Sequence, residues 1–183
     1  MAIKVQKSKY IWLNGKFMPW EKANIHIITH GLHYGSGIFE GIRFYETEKG
    51  PAVFRLQDHI KRLHYSAKTI KLDLQYSVKD LCTAILELIR KNNLKQGYIR
   101  PLCVYGEGYM GLDPAGVPNI VAIAAWPWSA YLSNTEIKAH ISKIRRLTPD
   151  QTDMHAKISG HYFNSILASQ EARNLGFQEA ILL

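Results

Sequence analysis

The chain of 183 residues leaves room for one domain or two small ones, and its balance of 46% apolar to 21% charged residues excludes a disordered chain. Lys and Arg outnumber Asp and Glu by 23 to 15, for a net charge of +8, but they are scattered, with Lys4/Lys7/Lys9 and Lys143/Arg145/Arg146 the densest groups, so the charge describes a solvated surface and not a nucleic-acid footprint. No run approaches the ~18 apolar residues that span a bilayer, the first ten residues carry charges but no apolar signal core, and Cys82 and Cys103 make no disulfide framework, so the expected setting is cytoplasmic with no membrane partner.

Tyr10 to Trp20 is an apolar run broken by Asn14-Gly15, a dipeptide that accepts positive φ and predicts a two-residue hairpin. Residues 25–37, rich in His and Gly, predict irregular structure, and Ile38 to Tyr45 a single strand that Lys49-Gly50-Pro51 turns back through Ala52-Val53-Phe54. Leu56, Ile60, Leu63, Ala67 and Ile70 recur at helical spacing, and a second helix is predicted over 78–92 with Leu81, Ala84, Ile85, Leu88 and Ile89 inward. Ser77 and Asp80 form a capping-box pattern at its start. Tyr98–Tyr105 and Ile120–Trp126 read as strands, and 128–135 as an interdomain linker after Pro127. A strand over about 136–146, a helix over 161–175 stopped by Gly176, and a buried strand at Gln178–Leu183 complete the reading. An apparent core strand at the end of the chain predicts a second domain cut short.

Local motifs decide little by themselves. Gly106-Glu-Gly108-Tyr-Met-Gly111 matches G-x-G-x-x-G after a strand, but Leu112-Asp113-Pro114 opens no helix to meet a pyrophosphate, so it reads as a glycine loop. His26, His30 and His33 have a spacing seen in metal sites, yet Gly31, Gly35 and Gly37 interrupt a helix there, so they read as hydrogen-bonding loop residues and no metal is expected. Gly35-Ser36-Gly37 lacks the serine nucleophile elbow. Arg62 sits beside the apolar stripe of the first long helix, where its fork suits a phosphate. Lys157 lies among Ala156, Ile158 and Gly160, so close packing is expected to favour its neutral, nucleophilic amine.

A wider pattern joins these pieces: His30-Gly-Leu-His-Tyr-Gly-Ser-Gly-Ile-Phe-Glu-Gly-Ile-Arg43, Lys61-Arg-Leu-His-Tyr-Ser-Ala67, Tyr98-Ile-Arg-Pro-Leu102, Trp126-Pro-Trp-Ser-Ala-Tyr-Leu132 and Ala156-Lys-Ile-Ser-Gly-His-Tyr162. In this order they resemble the fold-type IV, class IV aminotransferases that use pyridoxal 5'-phosphate, above all the branched-chain amino acid group. The resemblance implies an α/β fold of the α+β type in two domains, 1–127 and 136–183, the second incomplete, with the cofactor in the cleft between them. It implies Lys157 as the catalytic, cofactor-bearing lysine, Arg62 as the phosphate ligand and Tyr162 as the partner of the cofactor's phenolic oxygen. Phe39, Tyr98, Trp128 and Tyr131 resemble the side-chain pocket, and Tyr98 with Arg100 the polar pair near the substrate carboxylates. Tyr34 and the Gly106–Gly111 loop resemble elements that reach a neighbouring subunit, which implies a homodimer or higher homo-oligomer.

The implied reaction moves the amino group of leucine, isoleucine or valine to 2-oxoglutarate, with glutamate and 2-oxo acids as the other partners. D-amino-acid aminotransferase and aminodeoxychorismate lyase share the fold and are the sibling alternatives; a non-catalytic dimerisation or binding remnant is the alternative of a different class. The resemblance also implies further sequence holding the acidic partner of the pyridine nitrogen and more of the phosphate cradle, so the chain alone is expected to be inactive.

Overall fold

The computed structural model describes residues 4–128 and 136–183, and the described residues form an α+β fold around one antiparallel sheet. The hairpin β1 (Tyr10–Leu13) and β2 (Lys16–Pro19) turns at Asn14 and Gly15, with φ of 45° and 86°. Asn14 then stitches the hairpin to its neighbour, its Oδ1 accepting from Val121 N at 2.8 Å.

Residues 25–37 are not wholly irregular. A short helix, α1 (His30–Tyr34), forms there and ends on Gly35 in the left-handed conformation. Gly31 is accommodated because α1 lies against the sheet so closely that a Cβ would come within 2.9 Å of Val104 Cβ.

The predicted strand from Ile38 to Tyr45 is divided into β3 (Gly37–Phe39) and β4 (Ile42–Thr47), and β5 (Gly50–Val53) returns beside β4. Both β3 and β4 pair with β6 (Gly97–Tyr105) in a common register that places Glu40 opposite Pro101 and Gly41 opposite Arg100. Pro101 has no N–H to give the ladder, so the pairing lapses there and only Glu40 N–H reaches Pro101 O, at 2.9 Å. The sheet order is β2-β1-β7-β6-β4-β5, with β7 (Asn119–Trp126) at its centre beside β6.

The helices α2 (Leu56–Thr69) and α3 (Val78–Lys91) follow the predicted stripes, and the Ser77–Asp80 capping box is formed in both directions. They bury Ile60, Leu63, Leu81, Ile85 and Leu88 on one face of the sheet, against Ile38, Ile42, Phe44, Ile99 and Ile123. Alternation along β6 turns Tyr98, Arg100, Leu102 and Val104 to the opposite face. That face carries Tyr98 and Arg100, two of the residues the resemblance singles out.

Beyond residue 135 the predicted strand over 136–146 shrinks to β8 (Ala139–Ile141). Lys143 N donates to Glu171 Oε2 at 3.2 Å and Ile144 N to Ser142 Oγ at 3.0 Å, so side chains take the amides a longer ladder would need. The helix α4 (Tyr162–Asn174) packs against β9 (Glu179–Ile181), which runs parallel to β8. Its inward stripe is Ala168 and Ala172, while Ile166 is exposed. The terminal strand is not buried as predicted: Ile141, Ile181 and Leu183 are exposed, because among the described residues α4 covers only one side of this two-stranded sheet. Most of the predicted linker, 129–135, lies outside the described residues, and no helix among those described is long and apolar enough to cross a membrane.

Candidate active site

Lys157 lies in an extended segment whose neighbours Ala156 and Ile158 are buried, so alternation turns its own side chain the other way, into a cavity of about 400 Å³. That size suits a small-molecule site. Both backbone polar groups of Lys157 are held by earlier parts of the chain: its N–H donates to Ser66 Oγ on α2 at 2.9 Å, and its carbonyl accepts from Phe39 N on β3 at 3.2 Å. Ile158 makes a β-bridge to Ile38 at the same edge. The expected close packing of the amine is only partial, since Lys157 is half-buried and its Nζ opens on the cavity.

Lys157 Nζ donates to Tyr162 Oη at 2.5 Å. It also lies 5.0 Å from the centre of the Phe39 ring and 5.1 Å from that of Tyr162. Tyr162 opens α4 immediately after a single 3₁₀ turn, Ser159–His161, and this turn brings residues five apart face to face. Arg62, Arg146, His161 and Asn164 share the cavity wall. An amine, a hydroxyl and two guanidinium groups around one cavity suit an anionic carbonyl compound.

Arg62 reaches the cavity from α2 and is gripped from behind. Its Nε and Nη2 donate to Glu40 Oε1 and Oε2 at 2.6 and 2.7 Å, and His59 Nδ1 lies 2.9 Å from the same Oε2. Glu40 is fully buried, and the bond to it raises the Arg62 pKa further, with its charge acting the same way against the opposing effect of burial. Ser66 Oγ, besides receiving Lys157 N–H, donates to Arg62 O at 2.9 Å. One hydroxyl therefore ties the Arg62 turn of helix to the Lys157 backbone. His161 Nε2 lies 2.9 Å from Thr152 Oγ1, and burial pushes its pKa down, partly offset by Asp153.

The remaining predicted residues fall into two groups. Phe39, Tyr98, Arg100 and Trp128 continue the Lys157 site as a chain of contacts. The Phe39 and Tyr162 rings are 4.8 Å apart, Arg100 stacks 4.6 Å over Phe39, Arg100 Nη2 donates to Tyr98 Oη at 3.2 Å, and the Tyr98 ring meets Trp128 at 4.7 Å. Tyr98 Oη fits because Gly41 lies beneath it; a Cβ there would stand 2.0 Å away. Tyr34 lies apart, lining a second cavity with His30 and Ser36, and Tyr131 is outside the described residues. The His30 ring is buried and bonds to Ser36 Oγ at 2.6 Å and Gly111 O at 2.8 Å, while His33 Nε2 bonds to Ile27 O at 3.0 Å. No cluster of metal ligands occurs among the described residues.

Glu40, His59 and Ser66 escape a reading of motifs alone. Glu40 has a visible signal: Ile38, Glu40, Ile42 and Phe44 all occupy the inward positions of one alternating run, and an acid in such a row needs a buried cation. Ser66 stands next to Ala67 on the apolar stripe of α2 and offers no comparable signal.

Comparison with known proteins places this geometry in a family. The model of the amino-transferase class IV family matches residues 37–183, and the chain belongs to that family. The branched-chain-amino-acid aminotransferase of Escherichia coli K12 is 45% identical over 97% of the chain, which is 59% of that protein. A crystal structure of the Escherichia coli enzyme matches with a TM-score of 0.93 at 45% identity, over 97% of this chain and 60% of that one. The T.th. branched-chain amino acid aminotransferase complexed with N-(5'-phosphopyridoxyl)-L-glutamate matches with a TM-score of 0.91 at 40% identity, over 97% and 59%. The chain thus spans about three-fifths of the length of these relatives.

Proposed function

We propose that this chain supplies the lysine, the phosphate ligand and the side-chain pocket of a pyridoxal-phosphate-dependent transaminase that moves the amino group of leucine, isoleucine or valine to 2-oxoglutarate. The observation that carries the reading is the Lys157 Nζ–Tyr162 Oη bond of 2.5 Å on the cavity that Arg62 also lines. The residues fit the cofactor: an amine for its aldehyde, a guanidinium for its phosphate and a phenol for its ring hydroxyl. The T.th. relative with its phosphopyridoxyl-glutamate supports both the cofactor and the glutamate half-reaction.

Pyridoxal phosphate, when bound, supplies an electron sink for the carbon that loses a proton. Lys157 Nζ would hold the cofactor's aldehyde, and, as the free amine that a substrate amine leaves on taking its place, would remove and return the α-proton of the amino acid. Tyr162 Oη orients that amine. Arg62, gripped from behind by Glu40 through two hydrogen bonds, would hold the phosphate. Phe39, Tyr98 and Trp128 form the aromatic wall that accepts a branched side chain and excludes water, a role that the resemblance to the family also gives Tyr131. Arg100, beside the Tyr98 hydroxyl, pairs the second carboxylate of glutamate, which lets one pocket serve two unlike substrates. Tyr34 and the Gly106–Gly111 loop serve the neighbouring subunit of a homodimer, and residues 1–127 and 136–183 form the two sides of the cleft. The reaction belongs to the cytoplasm.

The test is intact mass and peptide mapping of the whole encoded protein after incubation with pyridoxal phosphate and reduction by borohydride, alongside leucine-dependent formation of glutamate. A single pyridoxyl group on Lys157 is expected. Lys157→Ala is expected to lose the adduct and at least about a thousandfold in turnover. An adduct on another lysine, or turnover surviving Lys157→Ala, overturns the assignment. A protein with neither adduct nor turnover is a binding module instead.

A further inference from the structure

The Glu40 carboxylate is fully buried at a place where alternation supplies Ile38, Ile42 and Phe44 to the core. A buried carboxylate costs free energy unless it is paired, and well-packed apolar residues in its place would leave the fold no worse. The structure pairs it fully: Oε1 receives Arg62 Nε, Oε2 receives Arg62 Nη2, and His59 Nδ1 stands 2.9 Å from Oε2. These contacts use one edge of the Arg62 guanidinium. Among the described residues none takes Nη1, and Arg62 lines the Lys157 cavity.

We propose that Glu40 is a positioning residue for the cofactor's phosphate, acting through Arg62, with His59 fixing the carboxylate in turn. This rests on the proposed function. A bidentate carboxylate fixes the plane of a guanidinium that is otherwise free to swing on a flexible stem. The side chain of Arg62 is 47% exposed, so packing alone does not hold it. Glu40 at the same time brings a negative charge towards a dianion, so any electrostatic effect of its own opposes phosphate binding. The sign of the change on neutralising Glu40 therefore separates the two roles: loss of orientation weakens the phosphate grip, and loss of charge alone tightens it.

The experiment measures dissociation constants of pyridoxal phosphate and of pyridoxal, which lacks the phosphate, from the absorbance of the lysine adduct in the whole encoded protein. Wild type, Glu40→Gln and His59→Phe are compared. Glu40→Gln is expected to weaken pyridoxal phosphate roughly tenfold and leave pyridoxal within about twofold, since a charged bond in a buried site is lost without removing the amine. His59→Phe is expected to shift in the same direction by less. Unchanged or tighter binding of pyridoxal phosphate in Glu40→Gln overturns the proposal, and so does an equal loss for both compounds, which marks Glu40 as a support of the fold. Should Glu40→Gln fail to fold, His59→Phe decides: a phosphate-selective loss sustains the proposal and none overturns it. A wild-type protein that binds neither compound removes the proposed function itself, and this inference with it.

Discussion

Ser66 stands between the two groups that the proposed chemistry needs at a fixed separation. Its hydroxyl accepts from Lys157 N–H and donates to Arg62 O, both at 2.9 Å, and the residue is fully buried. Ser66→Ala removes the acceptor of a buried amide, so the cost is the desolvation of that amide and not merely one average hydrogen bond. The expected loss is about 1–3 kcal/mol of stability, read as a lower urea midpoint at unchanged m-value. A loss below about 0.5 kcal/mol would show that the Lys157 segment relaxes onto another partner. At this scale the sequence is legible where a motif carries the residue. Lys157, Arg62 and Tyr162 are singled out by resemblance, and they line one cavity. Glu40 and Ser66 act through what stands behind them, and a residue whose role is to hold another leaves only the faint mark of a polar side chain in an apolar pattern.

Elements follow the same rule: those made by local pattern are legible, and those made by close approach are not. The Asn14-Gly15 hairpin, the stripes of α2 and α3, the Ser77–Asp80 box and the alternating β6 and β7 all stand in the sequence, because each follows from periodicity or a cap. The short α1 does not, since Gly31 and Gly35 suggest irregular chain until the sheet beneath them is seen. Gly35 has φ +63° and carries no side chain because Gly160 lies against it; a Cβ would stand 2.8 Å from Gly160 Cα, and Gly160 N donates to Gly35 O at 3.1 Å. Gly35→Ala thus combines left-handed strain with displacement of the turn between Lys157 and Tyr162. Gly176 has a comparable φ of +82° but open space around it, so Gly176→Ala carries the strain alone. The expected losses are about 1 kcal/mol for Gly176→Ala and about 2 kcal/mol or more for Gly35→Ala, by urea denaturation. Equal losses would show that the contact with Gly160 contributes nothing. The break between β3 and β4 escapes notice for a related reason: its cause, Pro101, stands on the neighbouring strand.

For the molecule as a whole, the titrating groups confine maximum stability to a window near neutrality. Burial pushes His64 and His161 below the ordinary imidazole value, and His64 Nε2 has no hydrogen-bond partner among the described residues. The unfolded chain therefore takes up these protons first, and the stability present above about pH 6.5 is lost as pH falls through the lower folded values. Hydroxyls hold carboxylates low as well: Tyr65 acts on Asp153, Ser77 on Asp80, Thr148 on Asp150 and Ser142 on Glu171. Their contribution is present above the ordinary carboxylate range and disappears in stronger acid. Acidification also adds positive charge to a net charge already at +8, so self-repulsion acts in the same direction. On the alkaline side burial pushes the Cys103 thiol up to about 12, and Tyr105 is raised by burial as well. Here the unfolded chain ionises first, so stability present below about pH 8.5 is lost as pH rises towards the folded values. The urea midpoint should accordingly be flat between about pH 7 and pH 8 and fall on both sides. His64→Leu should flatten the fall between about pH 7 and pH 5.5, because it removes a buried base that only the unfolded state protonates freely. A midpoint that rises on acidification, or an acid limb that His64→Leu leaves unaltered, would show that buried imidazoles do not set the lower edge of the window.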